Sequence, residues 1–234
     1  MARHHYRTIK RVFLADGDAL ILKMQDLEKI LFKIRELFPE CERVAAYATA
    51  QDILRKSENE LRRLKDLGLK ILYLGVESGS DEILKDSKKG STVSDMVEAG
   101  KRARKAGIKI SATLIIGLGG KEKWEMNAIE SAKVISEIDP EYLGLLTLTV
   151  DQGTEMYDKV HRGEITPLSP KEVMIEIRKF IENLHVTNCV LRSNHVCNYV
   201  PLAATLNRDK EQLLKQLDDI VEGDYKLHRN TYGI

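Results

Sequence analysis

Short apolar runs alternate with amphipathic stretches along nearly the whole chain. The runs have the length of strands, and helical periodicity fills most of the intervals between them. We predict strands near residues 10–15, 43–48, 70–76, 109–116, 142–149 and 187–193. Strands that alternate with helices are typical of a parallel sheet with right-handed crossovers. The pattern therefore predicts an α/β fold of six βα units.

Signals at the helix ends support this interpretation. Ser57-Glu58-Asn59-Glu60 and Ser169-Pro170-Lys171-Glu172 fit capping boxes, in which serine and glutamate exchange hydrogen bonds with free backbone N–H groups. A last helix is predicted over 205–223, with Asn207 as its cap and a tail over 224–234. Because no linker interrupts the chain, we predict a single domain over 1–234 with its core at 10–200. A closed eight-stranded barrel needs around 250 residues, so six units in 234 residues fit an incomplete barrel or an open doubly wound sheet better. We predict the incomplete barrel.

Composition narrows the class of protein. Lys and Arg number 37 and Asp and Glu 36, so net charge gives no strong signal for nucleic acid or an anionic membrane. No apolar stretch reaches the roughly 20 residues that span a bilayer, and no signal peptide is recognisable, which predicts a cytoplasmic protein. Cys41, Cys189 and Cys197 are too scattered for a disulfide framework or a metal site, so we expect reduced thiols and no bound metal.

Polar or glycine-rich segments follow three of the predicted strands. Asp16-Gly17-Asp18 follows the first strand, Glu77-Ser78-Gly79 the third, and Gly117-Leu118-Gly119-Gly120 the fourth. Ligands bind at the carboxyl ends of parallel strands in α/β folds. The three segments therefore predict one shared site.

Each acidic or hydroxyl side chain in these segments has two interpretations. Asp16 and Asp18 either accept bonds from an ammonium, a hydroxyl or a metal, or cap the next helix. Thr49, after the second strand, either binds a ligand or caps a helix. Glu77 is suited to a pair of ribose hydroxyls, and its alternative is a salt bridge, because a carboxylate that emerges from a buried strand needs a partner.

The glycine turn after the fourth strand lacks the patterns of a phosphate loop. Neither G-x-x-x-x-G-K-[ST] nor G-x-G-x-x-G is present, so we do not expect a nucleotide phosphate there. A flat adenine laid against the bare backbone of Gly117 and Gly119 is the alternative use of the turn.

Arg192, Asn194 and His195 follow the last predicted strand and are the candidate catalytic residues. Together they are suited to binding a carboxylate or moving a proton. A purely structural role for the histidine is the alternative.

The chain resembles the radical S-adenosylmethionine (SAM) enzymes, especially the branch with oxygen-independent coproporphyrinogen oxidases and methylthiotransferases. Gly75-Val76-Glu77-Ser78-Gly79-Ser80, the helix that ends at Gly107, and the run from Ile110 to Gly117 carry most of the resemblance. It implies a barrel of the incomplete TIM type, (βα)6, and an enzyme with SAM as cofactor.

The resemblance also implies roles for the strand-end residues. The turn at Asp16, Gly17 and Asp18 would contact the methionyl amino group of SAM, although many relatives have two glycines and a glutamate there. Glu77 and Ser78 would meet the ribose or the methionyl part, and Ile115 to Gly119 would flank the adenine.

One departure from the family pattern concerns the iron–sulfur cluster. Members hold a [4Fe-4S] cluster through a C-x-x-x-C-x-x-C loop after their first strand, and with an electron donor the cluster reduces SAM to a 5′-deoxyadenosyl radical. This chain lacks that loop, so we expect the first strand and the cluster to be missing and the chain alone to be inactive. It is then either a fragment of a complete enzyme or a natural relative that has lost the cluster.

Two other classes of function stay open. One is a cluster-free module or subunit that binds an adenosyl ligand. The other is a cofactor-independent barrel enzyme that uses Asp16, Asp18, Glu77 and His195 as acid and base groups. The substrate, a small molecule or a macromolecule, is not identified by any motif. A missing first strand would leave an unpaired edge at Arg11 to Ala15, which predicts self-association.

Overall fold

The computed structural model describes residues 7–15, 17–223, 225 and 227–229. The strands in these ranges are β1 (Arg11–Leu14), β2 (Arg43–Ala48), β3 (Leu69–Glu77), β4 (Lys109–Ile116), β5 (Tyr142–Thr147), β6 (Cys189–Ser193) and β7 (Leu202–Leu206). The helices are α1 (Met24–Leu37), α2 (Ala50–Leu54), α3 (Glu58–Asp66), α4 (Asp81–Asp86), α5 (Val93–Lys105), α6 (Gly120–Ile138), α7 (Glu155–His161), α8 (Pro170–Asn183) and α9 (Lys210–Glu222). A 3₁₀ turn at Ala19–Ile21 follows β1.

The strands form one seven-stranded sheet in the order β1-β2-β3-β4-β5-β6-β7. The pairs β1–β2, β2–β3 and β5–β6 are parallel, whereas β7 runs antiparallel to β6. Within the described residues β1 and β7 are the two ends of this order, so the sheet is not closed. The prediction of an α/β fold with six strands in alternation with helices is confirmed.

The seventh strand was not predicted. Leu202, Ala204 and Leu206 are buried at alternate positions of β7, which is a strand period. The last helix therefore begins at Lys210 rather than at 205. Asn207 does not cap this helix: its backbone has φ +84° and ends the strand, and Asp209 occupies the cap position.

The chain divides into two compact units. Unit 1 comprises the chain up to Gly75 together with Ser94–Ser111. Its fully buried side chains include Leu27 of α1, Leu61 and Leu64 of α3, and Leu72 of β3. These leucines remove apolar surface from water, and α1 packs on α3.

Unit 2 comprises Val76–Val93 and Ala112–Ile234. Helix α8 packs on both α6 and α9, and Phe180 of α8, Ile135 of α6 and Leu217 of α9 are fully buried. Helix α8 begins with the predicted capping box: Ser169 accepts from Glu172 N, and the Glu172 carboxylate accepts from Ser169 N. The box predicted at Ser57 is confirmed in unit 1.

Within the part of the chain that the structure describes, no helix is both long and apolar enough to cross a membrane.

Candidate functional site

The turn after β1 belongs to unit 1 and is organised by Asp18. Asp16 lies outside the described residues, and Gly17 has φ +77°, a conformation that favours glycine. Oδ1 of Asp18 accepts from Leu20 N at 2.9 Å, and Oδ2 accepts from Thr49 N at 2.8 Å. Asp18 therefore caps the 3₁₀ turn and also holds the backbone that follows β2.

Thr49 is a helix cap, as one of its two interpretations predicted. Its Oγ1 accepts from Asp52 N at 3.2 Å and donates to Asp52 Oδ2 at 2.5 Å. The carboxyl groups of Asp18 and Asp52 are themselves hydrogen-bonded. Burial and this bond raise the pKa of Asp18. Burial also acts to raise the pKa of Asp52, but bonds from Asp18 and Thr49 and the Arg55 guanidinium outweigh it and lower that pKa. Of the two carboxyl groups, Asp18 is therefore the one that is protonated more readily.

Glu77 ends β3 in unit 2 with an unusual backbone conformation. Its φ of +65° lies in the left-handed region, which costs a residue with a side chain about 1–2 kcal/mol. The carboxylate is 3.1 Å from Lys89 Nζ, and 22% of the side chain is exposed. The salt bridge expected as one interpretation is present. A carboxylate held at a strand end against this conformational cost makes Glu77 a candidate functional residue.

Ser78 and Gly79 fix the turn after β3 against helix α6. The Ser78 hydroxyl is fully buried and donates to Asn127 Oδ1 at 2.6 Å. Gly79 N donates to Ser131 Oγ at 2.8 Å, and a Cβ on Gly79 would lie 2.3 Å from the backbone of Glu130. Only glycine permits this approach of turn and helix.

A buried carboxylate, Glu176 of α8, joins this turn to the glycine turn after β4. Oε2 of Glu176 accepts from Gly117 N at 2.9 Å, and Oε1 accepts from Asn127 Nδ2 at 2.7 Å. Since Asn127 also accepts from Ser78, one chain of hydrogen bonds connects the two turns. We call Ser78, Asn127, Glu176 and the Gly117 amide the buried network. Desolvation raises the pKa of Glu176 to about 7, against the bonds from Asn127 and Gly117, which lower it.

Glu176 and Asn127 were not among the predicted site residues. Glu176 lies on the buried face of α8, between Val173 and Phe180, where helical periodicity leads to an apolar residue. The sequence signal was a glutamate at a position where the helical periodicity predicts burial. A buried carboxylate needs hydrogen-bond partners in the core, so this position could have been identified.

A cavity of about 280 Å³ lies beside the glycine turn. Gly117, Thr147, Leu168, Tyr199 and Arg229 are among the residues that line it. The Arg229 guanidinium lies 5.4 Å above the Tyr199 ring and donates to Leu148 O at 2.8 Å. Ligand pockets start at about 300 Å³, so this cavity has room for one planar ring system rather than a large ligand.

The predicted glycines and Ile115 lie at this end of β4. Gly117 has φ +85°, and Gly119 immediately precedes α6, where a Cβ would lie 3.0 Å from Lys123 O. Ile115 is partly exposed on β4. Within unit 2 the structure thus links Ser78 to Gly117 through the buried network.

The three candidate catalytic residues lie on β6 and the loop after it. Arg192 donates from Nη1 to the neighbouring Leu191 O at 2.7 Å, and Asn194 is exposed. His195 Nδ1 is 3.0 Å from Cys197 Sγ, a partner that the sequence did not identify. The imidazole is therefore paired with a thiol.

The residues present do not fit an iron–sulfur cluster. Such clusters need closely grouped thiolates, whereas Cys41 lies in unit 1 and Cys189 is completely buried in unit 2. Among the described residues, no three His, Cys, Asp or Glu side chains are grouped as metal ligands.

Comparisons with curated proteins find similar chains of several functions. The chain is 31% identical over 130 residues to a tRNA uridine(34) acetyltransferase of Methanocaldococcus infernus, a match that covers 55% of this chain and 24% of the relative. It is 24% identical over 174 residues to the heme chaperone HemW of Bacillus subtilis, covering 74% and 45%. The chain thus spans less than half the length of these relatives.

Solved structures share the fold. Elp3 of Methanocaldococcus infernus, with residues 1–46 deleted, superposes with a TM-score of 0.61 at 18% identity over 90% of this chain and 54% of that one. Coproporphyrinogen III oxidase of Escherichia coli, described as a radical SAM enzyme, gives 0.59 at 15% identity over 75% and 40%. These likenesses and the unclosed sheet confirm the predicted incomplete barrel.

A sequence model of a protein family matches this chain. The model described as the Radical SAM superfamily matches residues 1–132, more than half of the 234 residues. The chain therefore belongs to the Radical SAM superfamily, whose members bind SAM and carry out radical chemistry.

Proposed function

We propose that the strand ends of unit 2 bind the adenosyl part of SAM. The buried network carries this proposal, because it ties the turn that presents Glu77 to the glycine turn beside the cavity. Two turns held by buried hydrogen bonds form a preorganised site, which loses little conformational freedom when a ligand binds.

Different residues would bind different parts of SAM. The Glu77 carboxylate would accept hydrogen bonds from the two ribose hydroxyls, and the ion pair with Lys89 orients this carboxylate. The cavity beside Gly117 would take the planar base, because Gly117 has no side chain to occupy it. Bound SAM supplies the radical chemistry of the family.

Radical formation requires a [4Fe-4S] cluster, and the described residues include no fitting set of ligands for one. We therefore propose that the chain by itself binds SAM without cleaving it. Anaerobic reconstitution with iron and sulfide should give no four-iron absorbance. A stable four-iron cluster on this chain would contradict this part of the proposal.

Calorimetric titration with SAM in the absence of iron tests the binding proposal. Glu77→Gln keeps the size and the left-handed backbone but removes the charge. Bonds to a charged group contribute about 1.5–3 kcal/mol, so we expect Kd to rise at least about tenfold. Glu155→Gln is the matched control, because Glu155 also pairs with a lysine, Lys88, in unit 2. The control should bind like the parent chain, and equal affinity in both variants would refute the role of Glu77.

A further inference from the structure

The loop after β6 places a thiol and an imidazole in direct contact. Cys197 Sγ and His195 Nδ1 are 3.0 Å apart, and the histidine is exposed whereas the cysteine is partly buried. A nucleophile within hydrogen-bond reach of a base is the signature of an activated side chain. Neither group belongs to the site proposed for SAM.

A second contact determines which nitrogen acts as the base. The backbone N–H of Cys197 donates to His195 Nδ1 at 3.3 Å. Nδ1 therefore carries the lone pair in the neutral ring, and the proton is on Nε2. The lone pair that faces the thiol is available to accept its proton.

A third side chain, Asn198, positions the thiol. Asn198 is 3% exposed, and its Nδ2 donates to Leu145 O at 2.8 Å and to Ser193 Oγ at 3.0 Å. Its Oδ1 accepts from Thr147 Oγ1 at 2.9 Å and lies 3.6 Å from Cys197 Sγ. Because all these bonds fix the amide to β5 and β6, the thiol beside it is held at the imidazole.

We propose that Cys197 and His195 form a reactive thiol site that exchanges with low-molecular-weight disulfides. The Cys197 thiol gives its proton to His195 Nδ1, and the sulfur attacks one sulfur of the disulfide. The bond from Cys197 Sγ forms as the disulfide bond breaks, and the departing thiolate takes the proton from the imidazolium. The product is a mixed disulfide on Cys197, and no other oxidant is consumed.

The chain contains its own reference thiols. Cys41 is also partly buried, but its Sγ donates to Arg43 O at 3.5 Å, and no imidazole of the described residues is paired with it. Cys189 is completely buried and should stay unmodified. Trypsin separates the three cysteines into the peptides 36–43, 180–192 and 193–208.

The test is the rate of modification by oxidised glutathione at pH 7, measured for each peptide by mass spectrometry. We expect Cys197 to react at least about 10-fold faster than Cys41, since the imidazole beside its sulfur can accept the thiol proton during the attack. His195→Ala and His195→Gln should both lower the Cys197 rate to about that of Cys41. His185→Ala is the control, because His185 is exposed and remote in sequence from the loop, and it should leave the rate unchanged.

Two results would overturn the proposal. One is equal rates at Cys197 and Cys41 in the parent chain. The other is an unchanged Cys197 rate in both His195 variants when their circular dichroism matches that of the parent. Both variants replace an exposed side chain, so the fold is expected to be retained.

Discussion

The buried carboxylate of Glu176 should make stability depend on pH. Its pKa is raised from the usual 4.5 to about 7 by burial. At about 1.4 kcal/mol per pH unit, this rise corresponds to ~3 kcal/mol. A raised pKa means that the folded chain holds the proton more tightly than the unfolded chain. The contribution is therefore complete below pH 4.5 and is lost as the pH rises to about 7.

Glu176→Gln isolates this effect because glutamine has nearly the same shape and does not titrate. The amide resembles the protonated acid, since one of its two polar atoms donates and the other accepts. The free energy of unfolding of the parent minus that of the variant should fall by ~2.5 kcal/mol between pH 5 and 8, because the first part of the contribution is already lost at pH 5. Urea denaturation followed by circular dichroism at four pH values measures the difference.

Glu172→Gln on the same helix is the control. The bond from Lys121, followed by those from Ser169, lowers the pKa of Glu172 to about 2. Its contribution is present above 4.5 and is lost only as the pH falls toward 2, so its difference from the parent should be constant between pH 5 and 8. A constant difference for Glu176→Gln as well, or one that grows with pH, would refute the reasoning.

Three further predictions concern the turns and the sheet edge. Glu77→Gly should raise the free energy of unfolding by ~1 kcal/mol, because relief of the left-handed conformation outweighs the loss of a partly exposed ion pair. A free energy of unfolding below that of the parent in urea denaturation would contradict this prediction. Gly79→Ala should lower the free energy of unfolding by ~1–3 kcal/mol, since its Cβ would lie 2.3 Å from the backbone of Glu130. Gly144→Ala is the control, because the nearest atoms would lie 3.8–4.0 Å from its added Cβ, which is an ordinary contact distance. Phe13 is 40% exposed on β1, at one end of the sheet order, so light scattering should detect self-association that Phe13→Lys reduces. A chain that stays monomeric at all concentrations would contradict the last prediction.

Much of the fold was predictable because the signals are local. The capping boxes at Ser57 and Ser169 depend on four consecutive residues, and both are present. Strand β7 was missed because Leu202–Leu206 is short and directly precedes an amphipathic helix. Its place beside β6 comes from antiparallel pairing, which local periodicity does not specify.

The candidate site was predictable only in part, since its bonds join distant residues. The strand-end residues Glu77 and Gly117 were identified from their position after apolar runs. The hydrogen bonds that link them were not predictable, because they join residues far apart in the sequence. Glu176 is 59 positions from Gly117 and 49 positions from Asn127. The contact of His195 with Cys197 depends on the conformation of a loop. A spacing of two residues in the sequence does not predict whether two side chains of a loop meet.

The left-handed backbone of Glu77 separates selection for stability from selection for ligand binding. A library at this position that is screened for resistance to heat should enrich glycine, which adopts φ +65° without steric cost. The same library screened for retention on immobilised SAM should enrich glutamate. The residue at position 77 would thus show whether a variant was selected for stability or for ligand binding. Enrichment of glycine in one screen and of glutamate in the other would demonstrate a trade-off between stability and activity.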